Sequence, residues 1–384
     1  MDLPPLSKRE IERYSRHIML PQISMRGQQR LKASSALIVG LGGLGSPAAL
    51  YLAAAGIGKI GLVDYDRVDI SNLQRQVIHD VQSEGQLKVV SAAKRLAELN
   101  PDIEVNPFPV LFNSENASEV SAGYEIIVDG TDNIPTRYLL NDLAVLTRRA
   151  YVYGSIFRFE GQVSVFSTEN GPCYRCMFPE PPPPGVIPTC STAGVMGVLP
   201  GIIGSIQAAE VIKLITGAGN PLIGRLLLFD ALDMSSETVR IRKREACPVC
   251  GIDPRIKELL DYETWCRSSV MAQSVVPHSE WNIEPEELSR NLKDGSPIFL
   301  LDVREEFELA ISSLPGAINV PLPDLESQID QVPFEQEVVV YCRNGIRSLE
   351  AVEKLRKTGR DRVRHLQGGI NAWSEKIDPS VAVY

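Results

Sequence analysis

The chain has 384 residues, about two to three times the length of one ordinary domain, so a single core is not expected to organise it. Hydrophobic residues make up 44% and charged residues 23%, which excludes wholesale disorder and collagen-like repeats. A formal net charge of -9 disfavours non-specific contact with nucleic acid, so any basic site must be local.

The first thirty residues carry Lys8, Arg9, Glu10, Glu12, Arg13, Arg16 and His17 and lack the apolar core of a secretory signal, which points to the cytoplasm. A short apolar run, Ala36 to Val39, then enters GLGGLGS, and the Ala- and Leu-rich stretch Pro47 to Ala55 reads as helix. Ser46 suits the N-cap and Pro47 the first helical position. A second strand, Ile60 to Val63, ends at Asp64, and a third, Glu125 to Val128, ends at Asp129. With helical stretches between them, these runs predict a doubly wound parallel α/β sheet.

The four-proline run Pro181 to Pro184 marks a stiff surface loop. The apolar tract Thr192 to Thr216 is interrupted by Pro200, Gln207, Glu210 and Lys213, so it reads as a buried loop and helix and not as a membrane span. From 256 to 280 strand periodicity is lost and Ser, Gln and Pro recur, the composition of a linker. Beyond it, strands at Ile298 to Leu301 and Val338 to Tyr341, each followed by a polar turn and a helical segment, predict a smaller α/β domain over 281–384.

Gly40, Gly42, Gly43 and Gly45 permit a tight turn and close backbone approach, so that phosphate can rest on amide hydrogens at a helix N-terminus. Asp64, at the end of the next strand, is placed to accept from ribose hydroxyls. A hydride-transferring NAD enzyme shares this pattern. The residues beyond Asp64 separate the two chemistries: Asp66, Asn72, Arg75 and Lys88 come after the second strand, and Asp132 and Asn133 stand in DGTDN after the third. A triphosphate needs cations to neutralise it and a carboxylate to hold magnesium, whereas a dinucleotide and a hydride need neither.

Seven cysteines include two C-x2-C pairs, Cys173 with Cys176 and Cys247 with Cys250, separated by 70 residues. Four thiolates at this spacing favour a closed, structural tetrahedral zinc site in a reducing compartment. Cys190 lies between the pairs, in PTCSTAGVMG, and Cys266 carries no motif. Cys342 directly follows a strand and opens the loop Arg343, Asn344, Gly345, Ile346, Arg347, whose amides and guanidinium groups suit an anionic thiolate or persulfide. The four residues between Cys342 and Arg347 make a smaller ring than the five of a phosphatase loop, and so fit terminal sulfur better than phosphate.

RYSRHIMLP, GLGGLGSPAALYLAAAGIGKIGLVDYDRVDISNLQRQ, DGTDN and the two cysteine pairs resemble the MoeB/ThiF branch of the ubiquitin-activating-enzyme superfamily over about Leu6 to Pro254. From Trp281 to Tyr384, LLDVREEFE, LPGAINVPL, VVVYCRNGIRS and LQGGINAW resemble a single rhodanese domain, with Ser312 and Ser313 standing where Gly-His is common. The resemblance implies an adenylation domain over 1–255 in a homodimer. It would bind ATP and magnesium and adenylate the C-terminal Gly-Gly carboxylate of a ubiquitin-fold sulfur carrier. It also implies triphosphate contacts by Arg16, Arg75 and Lys88, with Arg75 reaching in from the neighbouring subunit. Asp132 would hold magnesium, Asp64 the ribose, and Asp66 and Asn72 would line the pocket. A persulfide on Cys342, loaded by a donor such as a cysteine desulfurase or thiosulfate, would then convert the adenylate into a thiocarboxylate, with Cys190 in a possible covalent step. Asp302 and Arg304 match a bracing motif. Conjugation through a Cys190 thioester, an oxidoreductase and a non-enzymatic carrier scaffold are the alternative readings.

Overall fold

A computed structural model describes residues 3–166, 171–181, 194–262, 264–266 and 279–383. The chain divides into two compact units, Met1–Gln273 and Ser274–Tyr384.

In the first unit the strands are β1 Ser35–Val39, β2 Lys59–Val63, β3 Glu104–Phe108, β4 Ile126–Asp129, β5 Ala150–Phe157, β6 Glu160–Phe166, β7 Arg225–Asp230 and β8 Ser235–Arg240. They form one sheet in the order β3-β2-β1-β4-β5-β6-β7-β8. The expected parallel sheet holds for the first five. From β5 onward the pairing is antiparallel, with tight connections at β5–β6 and β7–β8 and the helix Leu199–Thr216 between β6 and β7. The expected third strand is the fourth, because β3 was missed: it contains Pro107 and sits at the edge, where a missing amide hydrogen costs no ladder bond. β1 is buried throughout. Its alternate side chains enter two cores, Ala36 and Ile38 on one face and Leu37 and Val39 on the other.

The helix after β1 runs Gly45–Ala55, so it begins before the expected N-cap. Ser46 lies inside the first turn and donates back to the carbonyls of Gly42 (2.7 Å) and Leu41 (3.3 Å), which is why it cannot cap. Leu199–Thr216 has the length and composition to cross a membrane, but half of it is buried inside the unit, against Gly45–Ala55 and strands β5 and β6. Residues 256–262 and 264–266, expected as linker, pack on the first unit. Tyr262 donates to Asp142 (2.8 Å), and Trp265 stacks edgewise on Tyr138.

The second unit has five parallel strands, β9 Asn282–Ile283, β10 Ile298–Asp302, β11 Ile318–Asn319, β12 Glu337–Tyr341 and β13 Val363–Leu366, in the order β11-β10-β12-β13-β9. β12 is central and feeds its alternate residues to two cores, Val338 and Val340 to one, Val339 and Tyr341 to the other.

Candidate adenylation and sulfur-transfer sites

The strand order of the first unit reverses between β1 and β4, and ligands of such sheets sit outside the strand ends at that point. Gly40 closes β1 with φ at 89°, and a Cβ there would lie 2.7 Å from the Gly130 carbonyl after β4. A Cβ on Gly45 would meet the Gly40 oxygen at 1.9 Å. Only glycine lets these two loops close on each other, and the free amides of the eleven-residue helix Gly45–Ala55 then open onto the crevice.

Asp64 ties β2 to this turn: one oxygen accepts from Leu41 N and the other from Asp66 N, both at 2.8 Å. Burial raises its pKa above the usual carboxylate range, against the opposing pull of Lys88. Lys88, expected on the triphosphate, is buried and pairs with the exposed carboxylate of Asp66 at 2.9 Å. Asn72 ends a 3-10 turn, and Arg75, one turn on, donates to the Ser71 carbonyl at 3.0 Å.

Arg75 stands beside the glycine turn of its own chain, its Cγ 3.6 Å from where a Cβ on Gly43 would be. Arg16 does not join it. Tyr14 packs against Gly56, and His17 meets Gln28, which donates to Ala55 O. Arg16, between them, is therefore at the far end of Gly45–Ala55, roughly 15 Å from the turn at 1.5 Å per residue.

At the end of β4 and just beyond it, three polar residues divide the work. Asp129 is fully buried and accepts from Thr131 N (2.9 Å), Thr131 Oγ1 (2.7 Å) and Tyr151 OH (2.6 Å), which fixes the loop. Asn133 caps the helix Ile134–Leu146 through Thr136 N (2.9 Å). Asp132, between them, is exposed at the strand-end edge. Sequence reasoning missed two neighbours. Gln76, four per cent exposed, lies with its Nε2 facing Gly42, and its Oε1 has no hydrogen-bond partner among the described residues. Arg137 donates to Thr131 O (3.2 Å) and lies 3.8 Å from Asp129. Gln76 directly follows Arg75 in the motif, which was the available signal.

His79 buttresses the turn from below, meeting Leu41 O at 3.3 Å and Ser91 Oγ at 3.0 Å. Burial lowers its pKa to about 4. Below the ordinary value of 6.5 the unfolded chain takes a proton that the native state refuses, so stability should fall as pH drops from 6.5 to 4, by roughly 3 kcal/mol in all. Urea unfolding of the first unit at pH 7.5 and 5 should therefore show a steeper acid loss for wild type than for His79→Gln. Equal losses would remove this assignment.

The four pair cysteines come together. Sγ of Cys173 lies 3.9 Å from that of Cys176 and 3.5 Å from that of Cys247, Cys176 lies 3.4 Å from Cys250, and all four fall within 4.8 Å of one another. A tetrahedron with metal–sulfur bonds of about 2.3 Å has edges of about 3.8 Å, so the donor set fits zinc. Next to it, Arg175 is clamped by Asp142 (2.8 Å to each oxygen) between the rings of Tyr138 and Trp265. Cys190 lies outside the described residues.

In the second unit Cys342 is fully buried directly after β12. Gly345 N donates to its sulfur at 3.2 Å, and the twelve-residue helix Ile346–Lys357 starts at the next residue. The carbonyls of Cys342 and Arg343 turn away, to accept from Ile370 N (2.8 Å) and Asn371 N (3.1 Å). Gly369 makes this possible, since a Cβ there would meet the Cys342 oxygen at 2.4 Å. Arg347 is held by both oxygens of Glu308 (2.6 and 2.8 Å), and Arg304 by Asp302 behind Tyr341. Ser348, missed from sequence, faces the sulfur at 3.6 Å. The loop is a cradle for negative charge on sulfur.

Comparison with known proteins agrees with both family resemblances. The ThiF family model matches residues 14–249 and the rhodanese-like domain model residues 284–376. The chain is 44% identical over its full length to 99% of a Mycobacterium tuberculosis protein named probable adenylyltransferase/sulfurtransferase MoeZ. It is 43% identical, over 99% of its length and 86% of the other chain, to adenylyltransferase and sulfurtransferase MOCS3 of Drosophila ananassae. A Thermus thermophilus sulfur carrier protein adenylyltransferase is 50% identical over 68% of this chain and 98% of its own. In fold alone, E. coli MccB crystallised with ATP superposes with a TM-score of 0.57 at 21% identity, covering 64% of this chain and 75% of that one. The chain thus belongs to the ThiF family, carries a C-terminal rhodanese-like domain, and is a bifunctional adenylyltransferase and sulfurtransferase.

Proposed function

We propose that the first unit uses ATP to adenylate the C-terminal Gly-Gly carboxylate of a ubiquitin-fold sulfur carrier, that the outer sulfur of a persulfide on Cys342 then displaces AMP to form an acyl disulfide, and that a second thiol attacking the Cys342 sulfur releases the carrier thiocarboxylate and leaves a disulfide. The observation that carries this reading is the pairing, in one chain, of a cation-lined crevice at a strand-order reversal with a cysteine held in an anion cradle. A carboxylate resists nucleophiles because it is negatively charged; as an acyl-adenylate it gains a good leaving group. Positioning and charge neutralisation suffice for that step, with Arg75 and Lys88 on the phosphates, Asp64 at the ribose, and Asp66, Asn72 and Asn133 at the rim. Asp132 would hold magnesium, which supplies charge neutralisation at the phosphates. Arg16, remote from its own turn, would complete the site of a second copy in a homodimer, and the groove lined by His17, Tyr51, Ala54 and Ala209 gives that copy an apolar face to cover.

The reaction belongs in the cytoplasm, with a cysteine desulfurase or thiosulfate as sulfur donor. Molybdopterin formation is the first candidate for the carrier's use; carriers for thiamin, cysteine or tRNA thiolation are the others. Incubating the enzyme with ATP, thiosulfate and each carrier, then weighing the carriers, tests this: one should gain the mass of oxygen replaced by sulfur. Conversion of none of them would refute it. Accumulation of a Cys190 thioester would favour conjugation instead. For the four-cysteine site we expect about one zinc per chain by elemental analysis, and Cys247→Ser should lower both zinc content and the unfolding temperature of the first unit. Full zinc-free stability would exclude a structural metal.

A further inference from the structure

A line of polar groups runs inward from the sulfur. Cys342 Sγ lies 3.6 Å from Ser348 Oγ, Ser348 Oγ lies 3.5 Å from His365 Nδ1, and His365 Nε2 lies 2.9 Å from Asn282 Oδ1. Cys342, Ser348 and His365 are all buried. Asn282 Nδ2 donates to Gln367 Oε1 at 3.3 Å, which turns its carbonyl oxygen toward the imidazole. The proton of His365 therefore sits on Nε2, and the bare Nδ1 faces Ser348. The Ser348 hydroxyl is shared between this nitrogen and Gly345 O at 3.1 Å, a small rotation apart.

We propose that His365, acting through Ser348, holds the proton that Cys342 gives up when it becomes a nucleophile. The inference rests on the reading of Cys342 as the persulfide carrier. The thiol proton passes to Ser348 Oγ as the Ser348 proton passes to His365 Nδ1. The thiolate then attacks the outer sulfur of a donor such as thiosulfate, forming the new S–S bond. The donor's own S–S bond breaks, its electron pair leaving with sulfite, so no outside oxidant or reductant is required. When a nucleophile such as cyanide attacks the outer sulfur, the persulfide S–S bond breaks, Cys342 departs as thiolate and recovers its proton by the same route.

Two further features support the assignment. Burial lowers the pKa of His365, so its neutral form is present at pH 7. The packed elements bring it no fixed charge among the described residues: strand β9 offers Asn282, the helix Ile346–Lys357 offers Ser348, and the titratable group at the end of the line is Cys342. Arg364, next to it on β13, is bound to Glu287 and Glu337, and Arg347 of the loop is bound to Glu308.

The test is the pH dependence of Cys342 alkylation by iodoacetamide in the full-length protein, followed on its own peptide by mass spectrometry. In His365→Gln, which keeps the bond to Asn282 but cannot take a proton, the half-maximal pH should rise by roughly one unit. Ser348→Ala should shift it similarly, and the double variant no further than the larger single shift, because both break one line. Wild-type profiles in either variant, or additive shifts, overturn the proposal; if His365→Gln does not fold, Ser348→Ala decides alone. Cys342→Ala separates the two claims, since sulfur transfer surviving in that variant would defeat the persulfide assignment itself.

Discussion

Cys342→Ala should lower thiocarboxylate formation by roughly 10³-fold or more and leave carrier-dependent exchange of pyrophosphate into ATP at the wild-type rate. The expectation follows from where the sulfur sits. Cys342 follows the central strand of the second unit, and its loop is shaped by residues of that unit, Gly345, Gly369 and the amides of Ile370 and Asn371. Alanine removes the nucleophile without filling or emptying much space, so the cradle should keep its form. A parallel loss of pyrophosphate exchange would mean that the sulfur chemistry and the adenylation chemistry are not divided between the two units as proposed. Cys342→Ser is the companion measurement: the hydroxyl keeps the bond from Gly345 N but carries no sulfur, and should be as inactive as alanine.

The sequence carried more of this site than of the fold around it. Glycine spacing, Asp64 and DGTDN announced the crevice because each is demanded by backbone geometry or charge at a strand end, and strand ends are marked by runs of buried apolar residues. The antiparallel strand β8 left no such mark, because it is exposed throughout and no alternation betrayed it, whereas β7 carries the apolar run Leu226 to Phe229. The segment 256–266 looked like linker by composition, yet two aromatic residues, Tyr262 and Trp265, anchor it on Asp142 and Tyr138. Long-range packing of that sort has no local signal. Ser348 and His365 escaped for the same reason: one is on a helix and the other on a strand, seventeen residues apart, and only the parallel pairing of β12 with β13 sets them side by side. Arg16 shows the opposite limit, since the motif suggests a chemistry for it but not the chain on which it would act.

Asp132→Ala should have the reverse effect of Cys342→Ala: pyrophosphate exchange reduced roughly 10²- to 10³-fold, and sulfur transfer from thiosulfate to cyanide unchanged. The neighbouring acid provides the control. Asp129 is wholly buried, accepts three hydrogen bonds and lies beside Arg137, so Asp129→Asn would turn a donor toward Thr131 or Tyr151 and disturb the loop itself. Its cost should appear as lost stability. Asp132 is exposed, so alanine there should leave the unfolding midpoint of the first unit within about 1 °C, in keeping with the small effects of surface substitutions. Loss of exchange with intact stability, together with a raised magnesium requirement in Asp132→Asn, would mark a carboxylate that acts on the metal-bound triphosphate. If exchange persists at the wild-type rate in Asp132→Ala, the metal must be held elsewhere along the crevice, and Asp64 and Asp66 are the carboxylates that remain within it.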